Sequence, residues 1–450
     1  IAIGQGALQN ANYDGTAYNV AIGHNAGLGV STGVNNTLIG ALAGDAITTG
    51  SDNVAIGRSA LTANDTGSRA TAVGSYSLYN QNPTGSDYFY NVALGYQTAY
   101  NITTGTPNVL IGAFAGHDIT TGARNTVVGH DALSSEDTGS RNVAIGYEAL
   151  QALNYDGDGY NVAVGYNAGH DVTTGVQNTL IGGLAGDALT TGIGNVAIGY
   201  DALGTEDGNG LNVAIGASAL SSLNAGSNAY NVAVGYQAGL LVSTGTSNTL
   251  IGGLVGDALT TGEKNTAIGY SALGTEDTGN QNVAIGYRAL SELNYDGNGY
   301  NTAIGSDAGR KVSTGVNNTL LGALAGDAIT TGSHNVAIGY EALTTEDTGQ
   351  RNVAIGYNAL KDLNYDGAAY NVAIGFDAGA NVSTGIRNIL IGGLAGDTMD
   401  TGTENTIVGY SAGGGLTSGQ YNVALGAFSL AAEDAHGRNI AIGYYALGAQ

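Results

Sequence analysis

The sequence predicts an all-β fold: a parallel β-solenoid (β-roll) of about 26 coils, each built from a 17-residue unit. Three observations lead there. The phrase NVAIGYEAL stands at 142–150 and again, letter for letter, at 335–343, with near copies from Asn19, Asn161 and Asn371. Aligned on its Asn as position one, the phrase starts at 19, 36, 53, 70, 91 and onward to 439, mostly in 17-residue steps. Of 25 such starts, 24 carry Asn, the exception being Ala70. An internal period of this kind decides the fold before any local propensity does.

Position by position, the unit reads as a short strand and a corner. Positions two and four are apolar or Thr (Val143 and Ile145; Thr179 and Ile181), position three is Ala or Leu, and Gly follows at five and fifteen. An apolar run this short, bounded by glycines, suits a brief β-strand and not a helix. The Asn column (Asn142, Asn161, Asn178, Asn195, Asn212) suits amides stacked coil on coil about 4.8 Å apart. A turn preference of Asn would place it at the same corner. Every fourth step is longer, so a 70-residue super-repeat runs from 142 to 212, 282, 352 and 422. The chain divides into blocks 1–69, 70–141, 142–211, 212–281, 282–351, 352–421 and 422–450 of one continuous array. Stacking 26 coils predicts a rod on the order of 125 Å long.

Composition agrees with order built from small side chains. There are 77 Gly, 2 Pro, 1 Met and neither Cys nor Trp, yet apolar residues reach 43 %. That is too apolar for a solvated disordered chain, and the glycine lacks a collagen period. The net charge of −24 disfavours nucleic acid or an anionic membrane surface as partners. No apolar run approaches the roughly 20 residues of a membrane span. Residue 1 falls inside a repeat, so a longer chain is expected, with any targeting or anchoring segment outside this one. An extracellular or cell-surface location, or a virion appendage, fits a cysteine-free repeat array.

Outlying leucines suggest a second chain. Leu180, Leu184, Leu250, Leu254, Leu320, Leu324, Leu390 and Leu394 recur in the NTLIG coils. One apolar set fits inside a thin coil, and the second would form a surface stripe for which another copy is the simplest partner. A wider coil that hides both sets is the other reading.

The phrase Asn-x-x-Ala-Ile-Gly-x-x-Ala resembles the head repeat of YadA-type trimeric autotransporter adhesins, and similar repeats occur in bacteriophage tail fibres. The resemblance implies a left-handed parallel β-roll in a homotrimeric rod. It would make Val143, Ala144, Ile145 and Gly146, and equally residues 283–286 and 353–356, the core strand of a coil. The Thr-Thr-Gly and Glu-Asp-Thr-Gly arms depart from the head repeat, and residues 1–450 carry no heptad pattern of a coiled-coil stalk and no anchor-barrel segment.

Candidate contact sites lie in the lengthened coils. Tyr13-Asp14, Tyr155-Asp156, Tyr295-Asp296 and Tyr365-Asp366 share NYDG loops, and Tyr88, Phe89 and Tyr90 close the longest one. Tyr with Asp and Asn is a composition common to glycan and protein contact surfaces, although a turn capping a wider coil explains it too. Asp187, Asp257, Asp327 and Asp397, with Glu206-Asp207, Glu276-Asp277 and Glu346-Asp347, read as a solvated acidic face and not a calcium site. Neither metal nor cofactor is expected. The six scattered histidines have no nucleophile or ligand spacing, so no enzyme is expected. These features predict the shaft of an adhesive fibre, a phage tail fibre or bacterial surface adhesin, presenting a receptor-binding tip that lies outside this segment. The alternative is a single-chain solenoid binding glycan or ice on its exposed face.

Overall fold

A computed structural model describes residues 1–82, 88–432 and 435–448. Its described residues form 26 short strands and no helix. The chain divides into two compact units, Ile1–Ala229 and Tyr230–Gln450. The first holds β1 (Ala2–Ile3) to β13 (Val213–Ile215), the second β14 (Val232–Val234) to β26 (Ile440–Ile442). Within each unit, every strand pairs in parallel with the same strand one coil on. Val196, Ala197 and Ile198 lie beside Val213, Ala214 and Ile215. The fold is therefore a parallel β-solenoid of about 26 coils at 17-residue spacing, and the coils of one unit rise about 60 Å.

The glycine at position five ends each strand. Gly182 has φ +133°, and a Cβ built there would lie 2.4 Å from the carbonyl oxygen of Gly199 one coil on. A Cβ built on Gly199 would likewise lie 2.5 Å from the carbonyl oxygen of Gly216. Only glycine adopts this backbone and permits this approach.

Strand alternation sends position three inward and positions two and four outward. Ala144 and Leu180 have no exposure, whereas Val143, Ile145 and Thr179 are half-buried and Ile181 is 37 % exposed. The strand expected as core is thus core at its middle residue alone. Leu180, Leu250, Leu320 and Leu390 are wholly enclosed by their own coils, which removes them as candidates for packing between chains. Leu184, Leu254, Leu324 and Leu394 sit past the glycine corner, half-buried, with φ between 53° and 59°.

The interior is so thin that positions three and nine trade volume. Some coils pair Ala at three with Leu at nine (Ala144 with Leu150, Ala197 with Leu203), all four buried, while a coil just before a Leu coil has Ala and Gly (Ala163 with Gly169). Where three is Leu, nine is Gly: a Cβ on Gly186 would meet Leu180 Cδ2 at 2.8 Å. The same leucine covers Gly169 one coil earlier, at 2.6 Å from its built Cβ.

Asn at position one joins the coils. Asn178 Nδ2 donates to the Gly192 carbonyl of its own coil (2.8 Å), and its Oδ1 accepts the backbone N–H of Asn195 on the next (2.9 Å). Asn36, Asn108, Asn248 and Asn335 do likewise, all buried. The ladder is therefore amide to backbone, with additional amide-to-amide contacts such as Asn178 Nδ2 to Asn161 Oδ1 at 3.3 Å. In the 19-residue coils Nδ2 turns elsewhere, from Asn142 to the Ser140 carbonyl and from Asn282 to the Asn280 carbonyl.

Single substitutions probe both columns. Gly182→Ala loses about 3 kcal/mol or more of stability in chemical denaturation, while Gly183→Ala, whose built Cβ has 3.7 Å to its nearest neighbour, stays near wild type. Asn178→Ala strands a buried N–H and a buried carbonyl, and costs roughly 2–5 kcal/mol in the same assay.

Candidate functional site

The NYDG loops are tied into the coil before them. Each loop tyrosine (Tyr13, Tyr155, Tyr295, Tyr365) is half-buried, and each aspartate (Asp14, Asp156, Asp296, Asp366) is exposed. Thr138 Oγ1 donates to Asp156 Oδ1, Thr278 to Asp296 and Thr348 to Asp366, each at 2.6 Å. The N–H groups of Tyr155, Tyr295 and Tyr365 donate to Glu136, Glu276 and Glu346 Oε2 at 3.2, 3.4 and 3.3 Å. Arm and loop change together in the sequence. Where the arm reads EDGN from Glu206, with Gly208 in the threonine's place, the next loop reads NAGS from Asn224. These aspartates therefore serve the junction between two coils.

At the longest loop, Tyr88 and Tyr90 are exposed and hold Arg69 between them. Its guanidinium lies 3.9 Å from the Tyr88 ring centre, and Nη1 donates to the Tyr90 hydroxyl at 2.7 Å. Phe89 is 1 % exposed, so it is a core residue and not a surface contact: a Cβ on Gly67 would lie 2.4 Å from its ring. Residues 83–87 of this loop lie outside the described residues.

The acidic columns separate. Asp187, Asp257, Asp327 and Asp397 are half-buried, and burial raises each carboxyl above its ordinary range. Glu206, Glu276 and Glu346, expected on a solvated face, are fully buried, as is Glu136. They stand at position twelve, where other coils put Leu153, Val172 and Leu189 into the interior. Loss of solvent pushes all four upward, Glu346 to about 7, against the pull of N–H donors such as Gly349 (2.6 Å).

Two surface features stand out on the strand face and beside it. The outward residues at positions two and four form an apolar file in each unit, including Val109 (39 % exposed), Leu321 (43 %) and Ile389 (40 %). At position six runs a file of exposed aromatics. In the first unit His130, Tyr147 and Tyr166 stack at 5.5 and 5.6 Å; in the second Tyr340, Tyr357 and Phe376 stack at 5.5 and 5.2 Å. Neither file was singled out in the sequence, although aligning copies on the Asn puts the aromatics in one column. Among the described residues no His, Asp or Glu group has the arrangement of a metal site, and no helix is long and apolar enough to cross a membrane. Comparison with protein-family models and with curated proteins found no match.

The buried carboxylates predict a pH effect with a definite sign. Glu346 rises from 4.5 unfolded to about 7 folded, so its stabilising contribution is complete below pH 4.5 and is lost as pH rises through 7. Urea titration of the wild type and Glu346→Gln across this range reads it. Relative to wild type the variant gains stability as pH rises from 4.5 through 7, by an amount on the order of 3 kcal/mol at the limit, because only the wild type must ionise a buried group there.

Proposed function

We propose that the chain is the structural shaft of an extracellular adhesive fibre, of the phage tail-fibre or bacterial surface-adhesin kind, assembled as a homotrimer. It holds a receptor-binding tip away from a virion or cell. The observation that carries this reading is the outward file at positions two and four. A parallel sheet is ordinarily covered on both faces, and here, among the described residues, one face leaves Val, Ile and Leu side chains exposed, as at Ile251, Leu321 and Ile374. The file repeats once per coil, so a partner that covers it along its length must share its rise, and another copy of this chain does so by construction. Three such faces turned towards a common axis cover one another. The likeness of the phrase to YadA-type head repeats supports the number three, and the 70-residue super-repeat would place the junction loops at regular steps along the shaft.

Light scattering on the purified chain tests it. The expected molar mass is about three times 44.7 kDa. Ile181→Asp combined with Ile251→Asp, one change in each unit's file, lowers the mass to that of one chain without loss of the β-sheet circular dichroism. A wild-type monomer overturns the trimer and leaves the single-chain solenoid, with its bare face, as the reading to pursue.

A further inference from the structure

The last residue of each coil, just before the next Asn (position seventeen of a regular coil, nineteen or twenty-one of a lengthened one), carries a signal of its own. The sequence has 12 Lys and Arg, which would place about one at each of 17 positions if spread evenly. Seven fall here: Arg69, Arg124 and Arg141 in the first unit, Lys264, Arg351, Arg387 and Arg438 in the second. Tyrosine fills many of the remaining rungs, among them Tyr160, Tyr300, Tyr370 and Tyr421, each about half-exposed. A protein with 36 acidic residues thus gathers most of its cations, interleaved with rings, on one corner of the coil.

The backbone at this corner favours glycine, yet glycine is nearly absent from it. Arg351, Tyr370, Arg387, Tyr421 and Arg438 have φ between 55° and 66°. Each N–H of Arg351, Arg387 and Arg438 is fixed to the coil before, donating to the carbonyls of Ser333 (3.2 Å), Ala369 (2.7 Å) and Gln420 (2.8 Å). Position nine has the same φ and uses glycine freely, as at Gly309, Gly326, Gly379 and Gly396 (57–58°). At the last position of the coil only Gly194 does so. Large polar side chains are kept here at a conformational cost of about 1 kcal/mol or more each.

The densest run lies in the second unit, where successive coils present His334, Arg351, Tyr370, Arg387, then Tyr421 and Arg438, with Glu404 between. Arg351 Nη1 donates to the Tyr370 hydroxyl at 2.5 Å, and its guanidinium lies 5.4 Å from that ring's centre. Arg438 lies 5.9 Å from the Tyr421 ring centre, and Arg387 pairs with Glu404 at 2.8 Å. A shallow depression of about 330 Å³ opens between Tyr421 and Arg438, floored by Ser418, Gln420 and Gly437.

We propose that this Arg–Tyr column is a binding surface for an anionic polysaccharide. Arg351 and Arg387 stand two coils apart, a rise of about 10 Å; their guanidinium groups pair with carboxylate or sulfate groups on the sugars, and the exposed tyrosine rings accept pyranose faces. A glycan fits better than a nucleic acid. The chain's net charge of −24 repels a dense phosphate backbone, whereas a polymer with sparser charge meets Arg351 and Arg438 and exchanges for the carboxylates that pair with Arg69, Arg141, Lys264 and Arg387. The surface belongs to a single chain and does not depend on the shaft reading.

Isothermal titration of the 450-residue chain with polygalacturonate, with sulfated dextran and with neutral dextran tests the proposal. Binding to at least one anionic polymer is expected, weakening with salt, and the neutral polymer should not bind. The two anionic arms separate carboxylate from sulfate as the group recognised. Arg351→Gln with Arg387→Gln should weaken binding by about tenfold or more, while Lys361→Gln, away from the column, leaves it unchanged. Three results overturn the proposal: no binding to either anionic polymer, equal binding by the double variant, or tighter binding of single-stranded DNA. A double variant that drops to a lower mass in light scattering also overturns it, because the column would then be a contact between copies.

Discussion

A buried primary amide must find partners on both its oxygen and its nitrogen, and in this chain that requirement sets the length of a coil. Asn178 reaches a carbonyl 14 residues ahead with Nδ2 and an N–H 17 residues ahead with Oδ1. Both bonds close only when the next coil begins on schedule. The glycine column at position five and the strand register follow from that spacing, because each coil then meets the next with like residues opposed. The two bonds do not weigh equally on the count. In the lengthened coils the carbonyl bond is given up, yet Asn161 N–H still donates to Asn142 Oδ1 at 3.2 Å across 19 residues. The bond that crosses to the next coil is the one that tolerates insertions.

A coil closed on these terms has room for one large residue where positions three and nine meet. That explains the exchange of Leu180 with Gly186 for Ala197 with Leu203, and it explains why a strand of three apolar residues must leave two of them outside. The outward file is thus a geometric remainder of a thin core. It also makes Glu346 and its equivalents unusual. The one interior position given to a carboxylate lies beneath the junction loop, where Gly349 and Tyr365 supply N–H donors that no apolar residue could satisfy.

Much of this was legible in the sequence. The period, the strand at positions two to four, the glycine corner and the Asn column were all readable, because each depends on spacing and residue type alone. Which way the strand faced was not, since Val-Ala-Ile is apolar on both faces and gives alternation no contrast to work with. Leu180 and its equivalents are therefore indistinguishable by pattern from the residues that face outward. The glutamates mislead differently. Glu206, Glu276 and Glu346 share a column with Leu189 and Val172, which marks the interior, but their charge alone points to solvent. Phe89 shows the limit of composition, because only packing against Gly67 separates it from the exposed Tyr88 and Tyr90 beside it.

The one coil without an Asn has a consequence for how such a chain changes over time. The Ala70 N–H donates to Asn53 Oδ1 (3.0 Å), but Ala70 has no side-chain oxygen to accept an N–H from the next coil, and the step that follows it, from 70 to 91, is the longest in the array. The strands on either side keep their register, with Thr71 beside Val92 and Val73 beside Leu94. Length added at this junction is absorbed there, and neighbouring coils do not shift to accommodate it. The fold therefore separates a scaffold of fixed geometry from a port where new sequence is displayed, and grafting at that port is a route by which a repetitive chain acquires individuality.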